Sequence, residues 1–388
     1  MSGQDSFWDH FWFARLFFQL SGILPISGES FLWKKFLTQF LAVFPMLYSF
    51  FVLIPQINFI LFRNYNTDDL LEAMLIMTAV LTGQTRSIFV TIYRHRITRL
   101  FTACEELWDQ SVPADRQLIS TWIRQAKIIS TMYFCAANCL VTVFVVTATL
   151  QQFSLPENST TKYYPFTPQE DSTPSPEYEI KYAVQVICCF CSMSYIAACD
   201  MTGTILTLYL CGQLALVKRW LRDNSSKEKF SEMKGNINEG LEESLKKCIR
   251  RHQIVLELCS ELENVIQYNY LIQIITEMYI MALSAASFTK SSGSFRHFAT
   301  FILSINGLFL SCWPSDTLSY ESTEIAQAIY EVPWYDGSPR VKTMVAVLMA
   351  RSQRPAILTA GKFIPLSLEA FSSITSSGIS FCMLLRSL

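Results

Sequence analysis

The residues best placed for chemistry lie on one face of the last apolar segment. On a helix, Glu369, Ser373, Ser376, Ser380, Met383 and Ser387 recur at steps of three or four and form one stripe. Ser367, Ser372, Thr375 and Ser377 add further hydroxyls. A polar stripe is costly in lipid, so it must face protein or water. Two readings stand: small hydroxyl residues make close helix-packing seams, and rows of hydroxyls line water-filled pores. Nowhere does the sequence set a nucleophile beside a base, pair two carboxylates or form a phosphate loop, so no enzyme is expected. His10, His95, His252 and His297 are scattered, and no metal site or cofactor is expected.

A membrane must hold such a stripe. The 388 residues are 51% hydrophobic and only 16% charged, against about 25% charged in soluble domains. The composition predicts an all-α integral membrane protein, and nothing points to a nucleic-acid partner. Seven segments have the roughly 20 apolar residues a span needs: 36–62, 70–93, 128–150, 182–217, 266–288, 298–318 and 365–385. Pro45 and Pro55 are expected to kink the first. The stretch 7–24, with Trp8, Trp12 and Phe17, reads as an interfacial amphipathic helix. The N-terminus lacks the basic start and small-residue site of a cleavable signal, so the first span is expected to be its own insertion signal. This divides the chain into 1–35, an N-terminal part; 36–320, six spans; 321–364, a cytosolic segment; and 365–388, the last helix.

Lys and Arg orient it. With the N-terminus inside, the cytosolic stretches hold 3, 6, 10 and 5 basic residues, 24 in all, and the outer ones 1, 2, 2 and 1, which is 6. Arg86, inside the second span, completes the 31. The bias puts the N-terminus inside and the C-terminus outside. The outer loop 151–181 agrees, being acidic and Pro-rich with the sequon Asn158-Ser159-Thr160, so Asn158 is the expected glycosylation site. The sequon at Asn224 lies in the most basic loop and should stay bare. A G-protein-coupled receptor has the opposite orientation. The twelve cysteines fall in apolar or basic stretches and read as small buried hydrophobes.

The helical pattern of the fourth to sixth spans runs past the bilayer on the basic side, and 341–349 forms a further short helix there. Each extension has an apolar face to bury, so together they predict a cytosolic helical layer. Packing within one subunit and packing between subunits both satisfy that need.

The last sixty residues read Pro333-Trp334-Tyr335-Asp336, Gln353-Arg354-Pro355, Ala360-Gly361-Lys362, Pro365-Leu366-Ser367-Leu368-Glu369 and Phe381-Cys382-Met383-Leu384-Leu385-Arg386. This string resembles the C-terminal signature of the insect odorant receptor family, and the hydropathy layout of the remainder is similar. The resemblance implies an odorant-gated, non-selective cation channel in the plasma membrane of olfactory sensory neurons. It implies a tetramer with odorant co-receptor subunits, surrounded by membrane lipid. It implies that the last helix lines the pore, with Met383, Arg386 and Ser387 at its outer gate. Ser387 departs from a large aliphatic residue and Arg386 from a neutral amide, so a symmetric gate of four such subunits is in doubt. The helix containing Val341, Val345, Leu348 and Met349 would be the subunit interface. A pocket for small, volatile, mostly apolar odorants would lie in the outer halves of the second to sixth helices. Its candidates are Met77, Val80, Leu81 and Gln84; Asn138, Val141, Thr142 and Val145; Val186, Phe190 and Ser194; Met278 and Tyr279; and Phe301. Gln84 and Asn138 would meet a ligand oxygen. A gustatory-receptor-like ligand-gated channel is the nearest alternative, then a seven-helix G-protein-coupled receptor; a transporter would favour inverted repeats, and the sequence shows none.

Overall fold

The computed structural model describes residues 6–25, 50–62, 66–156, 159–167, 170–171, 173–223, 237–290 and 295–387, with isolated positions between 33 and 40. Helices α1 (Phe7–His10) and α2 (Trp12–Leu20) precede α3 (Phe50–Phe62), α4 (Thr67–Asp109), α5 (Pro113–Phe153) and α6 (Glu177–Asp223). Then follow α7 (Ile237–Lys290), α8 (Phe295–Tyr330), α9 (Pro339–Ser352) and α10 (Leu368–Ser387). Two antiparallel hairpins of two-residue strands are the only sheet among the described residues: β1 (Thr161–Lys162) with β2 (Glu170–Asp171), and β3 (Thr359–Ala360) with β4 (Ile364–Pro365).

Among the described residues, α4 to α8 are long and apolar enough to cross a membrane, and α3 is a shorter apolar helix. At 1.5 Å per residue α4 to α8 run about 54 to 81 Å, against about 30 Å of hydrocarbon. Overrun was expected for the last three of them, and α4 and α5 share it. Pro113 starts α5 at a position where no N–H is needed, straight after the end of α4. Of the first predicted span, 36–49 and Pro45 lie outside the described residues apart from isolated positions, and Pro55 sits inside α3. The predicted boundary at 320 falls within the continuous helix α8.

α6 is the axis of the bundle. From Ala197 to Leu214 it is buried on every face, as its mostly small and apolar residues require, with Asp200 and Gln213 the polar exceptions that need buried partners. Around it one buried cluster takes in side chains from Phe7 to Ile374. The N-terminal stretch is more than an interfacial helix. Phe7, Phe11 and Phe18 enter the core, Phe7 against Tyr209 and Phe17 against Phe134. Only Trp12, Leu16 and Leu20, at steps of four, point outward.

At the basic end, α9 packs against α7 and α8. Val341, Val345 and Leu348 are fully buried there in the chain's own core, and Met349 packs beside them. The apolar face that suggested an interface is therefore covered without a second subunit. The uncovered apolar residue of this helix is Val347, at 64% exposure. The β3–β4 turn places Gly361 at φ 62° and Lys362 at φ 65°, the left-handed pair that a tight hairpin needs. Glu263 on α7 pins it, accepting from both the N–H (2.8 Å) and the hydroxyl of Thr359, and Gly361 N–H donates to Gln267 O at 2.9 Å.

Candidate ligand cavity and hydroxyl face

A cavity of about 100 Å³ lies between α3, α4, α5, α6 and α8. Helical spacing brings its walls to one place: Leu75, Ile76, Ala79 and Val80 from α4; Leu140, Val141 and Phe144 from α5; Cys188, Cys189, Ser192, Met193 and Ile196 from α6. Val52 of α3 and Thr300 of α8 complete the helical lining, and Phe166 comes from the loop after β1. The Thr300 hydroxyl already donates to Arg296 O at 2.8 Å. Such a lining rewards an apolar guest by displacing poorly hydrated space and offers few polar contacts.

Of the predicted ligand residues, Val80 and Val141 line the cavity, and Val145 and Phe190 pack against its wall. Met77, Gln84 and Val186 are half-buried outside the lining, while Leu81 and Thr142 are exposed. Asn138 and Ser194 serve each other: Ser194 Oγ donates to Asn138 Oδ1 at 3.0 Å, and Asn138 Nδ2 donates to Phe134 O at 2.9 Å. Met278 and Phe301 pack against the main core. Tyr279 is exposed and meets Phe381 of α10, with ring centroids 6.4 Å apart. On α6 the predicted set was one helical phase off, since Cys188, Cys189, Ser192 and Met193 face inward instead of Val186 and Ser194. Nothing in a helix hydrophobic on all sides distinguishes those phases.

The buried charge of the bundle was not paired by sequence. Arg86, with no exposed surface, forms an ion pair with Asp200 and donates from Nε to Asn269 Oδ1 at 3.0 Å. Tyr133 donates to Asp200 Oδ2 at 3.0 Å, and buried Glu277 stands near the Tyr133 hydroxyl across Gly307. Arg86 is the one basic residue inside the predicted spans, and its need for a buried acid was the signal, with Asp200 and Glu277 among several candidates.

On α10, Glu369, Ser373, Ser376, Ser380 and Met383 are all exposed, and Ile374 and Gly378 form the buried face, with Gly378 seated on Met281 of α7. The predicted stripe is thus one uncovered face. The Asp316 carboxylate of α8 accepts from Leu368 N–H at 3.4 Å, where α10 begins. The side chains of Arg386 and Ser387, and Asn158, lie outside the described residues. No group of residues among those described is suited to hold a metal ion.

Fold and site define a multi-pass helical membrane protein, with an apolar cavity set apart from a hydroxyl-bearing helix face. The family model described as 7tm Odorant receptor matches residues 66–378, and the chain belongs to the insect odorant receptor family, whose members are receptors and not enzymes. It is 27% identical to Odorant receptor 10 of Aedes albopictus over 230 residues, covering 58% of this chain and 59% of that one. It is 24% identical to Odorant receptor 22c of Drosophila melanogaster, covering 46% of each, and 27% identical to the Odorant receptor coreceptor of Harpegnathos saltator, covering 37% and 30%. The chain spans about half the length of the curated relatives it matches. The seven-helix fold is similar to that of the insect olfactory receptor OR5 from Machilis hrabei in complex with eugenol, with TM-score 0.76 and 15% identity over 98% of this chain and 99% of that one.

Proposed function

We propose that this chain is the ligand-tuned subunit of an odorant-gated cation channel. The observation that carries the reading is a division of labour within one chain. An apolar cavity fit for a small neutral molecule lies among α3 to α6 and α8, and the hydroxyl row of α10 is left uncovered. A hydroxyl row with no covering helix fits water on that side. In this reading Glu369, Ser373, Ser376 and Ser380 line a pore, with Met383, Arg386 and Ser387 at its outer mouth. Four copies of Arg386 would repel cations there, which favours a mixed tetramer with co-receptor subunits. The N-terminus lies inside, Asn158 lies outside and carries the glycan, and the cell is an olfactory sensory neuron. Val347 and the exposed Phe363 at the β3–β4 turn take the place of Val341, Val345 and Leu348 as candidate subunit contacts.

The test is recording from cells expressing the chain with and without the co-receptor, across an odorant panel that includes eugenol, the ligand in the Machilis structure. Fast cation currents that need both subunits and persist when G-protein turnover is blocked are expected. Odorant responses that vanish with that block overturn the channel reading.

A further inference from the structure

Among the described residues, the cavity has one wall that is not a helix: the ring of Phe166. That ring stacks on Phe144, with centroids 5.6 Å apart and planes 19° from parallel. The strap Phe166-Thr167 is held from two sides, once by its backbone and once by a side chain. Gln56 of α3 donates from Nε2 to Phe166 O at 2.8 Å, and Gln185 of α6 donates from Nε2 to Thr167 Oγ1 at 2.9 Å. Both glutamines are buried, at 0% and 5% exposure. Among the described residues each of these ties leaves the glutamine's Oε1 buried without a hydrogen-bond partner. For Gln56 the orientation is forced. A backbone carbonyl only accepts, so the amide must turn its NH2 to Phe166 and strand its oxygen. A buried acceptor without a donor costs about 1–3 kcal/mol, comparable to or larger than the net gain from the hydrogen bond beside it. The closed strap is therefore held by weakly favourable latches, and opening it would hydrate the stranded oxygens.

We infer that Phe166 is the lid of the cavity, latched by Gln56 and Gln185, and that ligands enter from the loop side and not sideways from the bilayer. The chemistry of the guest fits: a small neutral molecule displaces one ring that is itself only an apolar plug. The inference rests on the cavity being the ligand site, as proposed above.

Native thiols report on it. Cys188 and Cys189 line the cavity and are free, while Cys135 is exposed on α5. The experiment is the rate of modification of Cys189 by methyl methanethiosulfonate in the intact membrane protein, read by peptide mass spectrometry. Cys135 serves as the internal reference. Phe166→Ala and Gln56→Leu are each expected to raise the Cys189 rate relative to Cys135 severalfold, the first by removing the plug and the second by leaving Phe166 O buried without a donor when the strap is closed. An odorant from the panel that opens the channel is expected to slow it in every version. Protection by that odorant with no rate change in either variant overturns the lid and leaves the cavity as the ligand site. Absence of protection overturns the cavity reading itself. If Gln56→Leu misfolds, Phe166→Ala alone decides, because an exposed-to-cavity ring can be truncated without stranding a polar group.

Discussion

Arg86 presents both terminal nitrogens to Asp200 and its Nε to Asn269, in a site with no exposed surface. Removing water from two charges is expensive, and only complete pairing offsets it. Deleting one partner leaves the other buried and alone. Arg86→Met is therefore expected to cost about 3–5 kcal/mol, and Arg86→Met with Asp200→Leu to recover most of that loss. Thermal unfolding of the detergent-solubilised protein measures both, and a double variant no more stable than the single one would contradict the pairing argument. This scale was the least legible. Arg86 stands out in the sequence as a charge inside a span, but no spacing links it to Asp200 or Asn269 on other helices. The phase of the α6 wall of the cavity was hidden for a related reason. Periodicity finds a buried face when the opposite face is polar, and α6 has no polar face across its core. A second consequence of close packing can be checked at Gly203, where an added Cβ would lie 2.3 Å from the Tyr270 hydroxyl. Gly203→Ala must push Tyr270 aside, at an expected overpacking cost of about 1–3 kcal/mol in the same unfolding measurement.

At the level of elements, sequence reading fared better. The second to sixth span positions, the helical extensions, the short helix before the last span and the stripe on that span all follow from residue type at fixed intervals. What it misjudged was which neighbour covers a face. The spacing of Val341, Val345 and Leu348 shows that α9 has an apolar side, but not that α7 and α8 already occupy it. The two faces of α9 now make opposite predictions. Val345→Asp puts a charge into a closed core and is expected to lose several kcal/mol of fold stability, lowering the yield of folded subunit. Val347→Asp places the charge on an exposed position, so the subunit should fold while tetramer assembly fails. Size-exclusion chromatography of both variants separates the cases. Normal tetramers with Val347→Asp would remove that residue from the interface, and normal folding with Val345→Asp would contradict its burial.

Across the whole molecule, α7 backs the α4 wall of the cavity on one side and carries α10 on the other. Leu75 and Ala79 of α4 line the cavity and also pack against the cluster of Ile280, Leu283 and Ala286 on α7. One residue from Ile280, Met281 seats against Gly378 on the buried face of α10, where an added Cβ would stand 3.2 Å from its terminal carbon. A guest that displaces Leu75 or Ala79 thus acts on the helix that supports the hydroxyl face. Coupling of two sites requires only that the ligand bind one arrangement of this joint better than the other. Each part then has its own signature. Val141→Phe narrows the cavity and should reorder odorant potencies, leaving the reversal potential under substituted cations unchanged. Ser376→Lys adds charge to the open face and should move the reversal potential without reordering odorants. Gly378→Ala touches neither ligand nor open face. It should shift the half-maximal concentration of every odorant by one common factor, because it changes only the closed-to-open balance that all ligands share. If Gly378→Ala instead changes the order of potencies, α10 contacts the ligand directly and the joint at Met281 is not the route between the two sites.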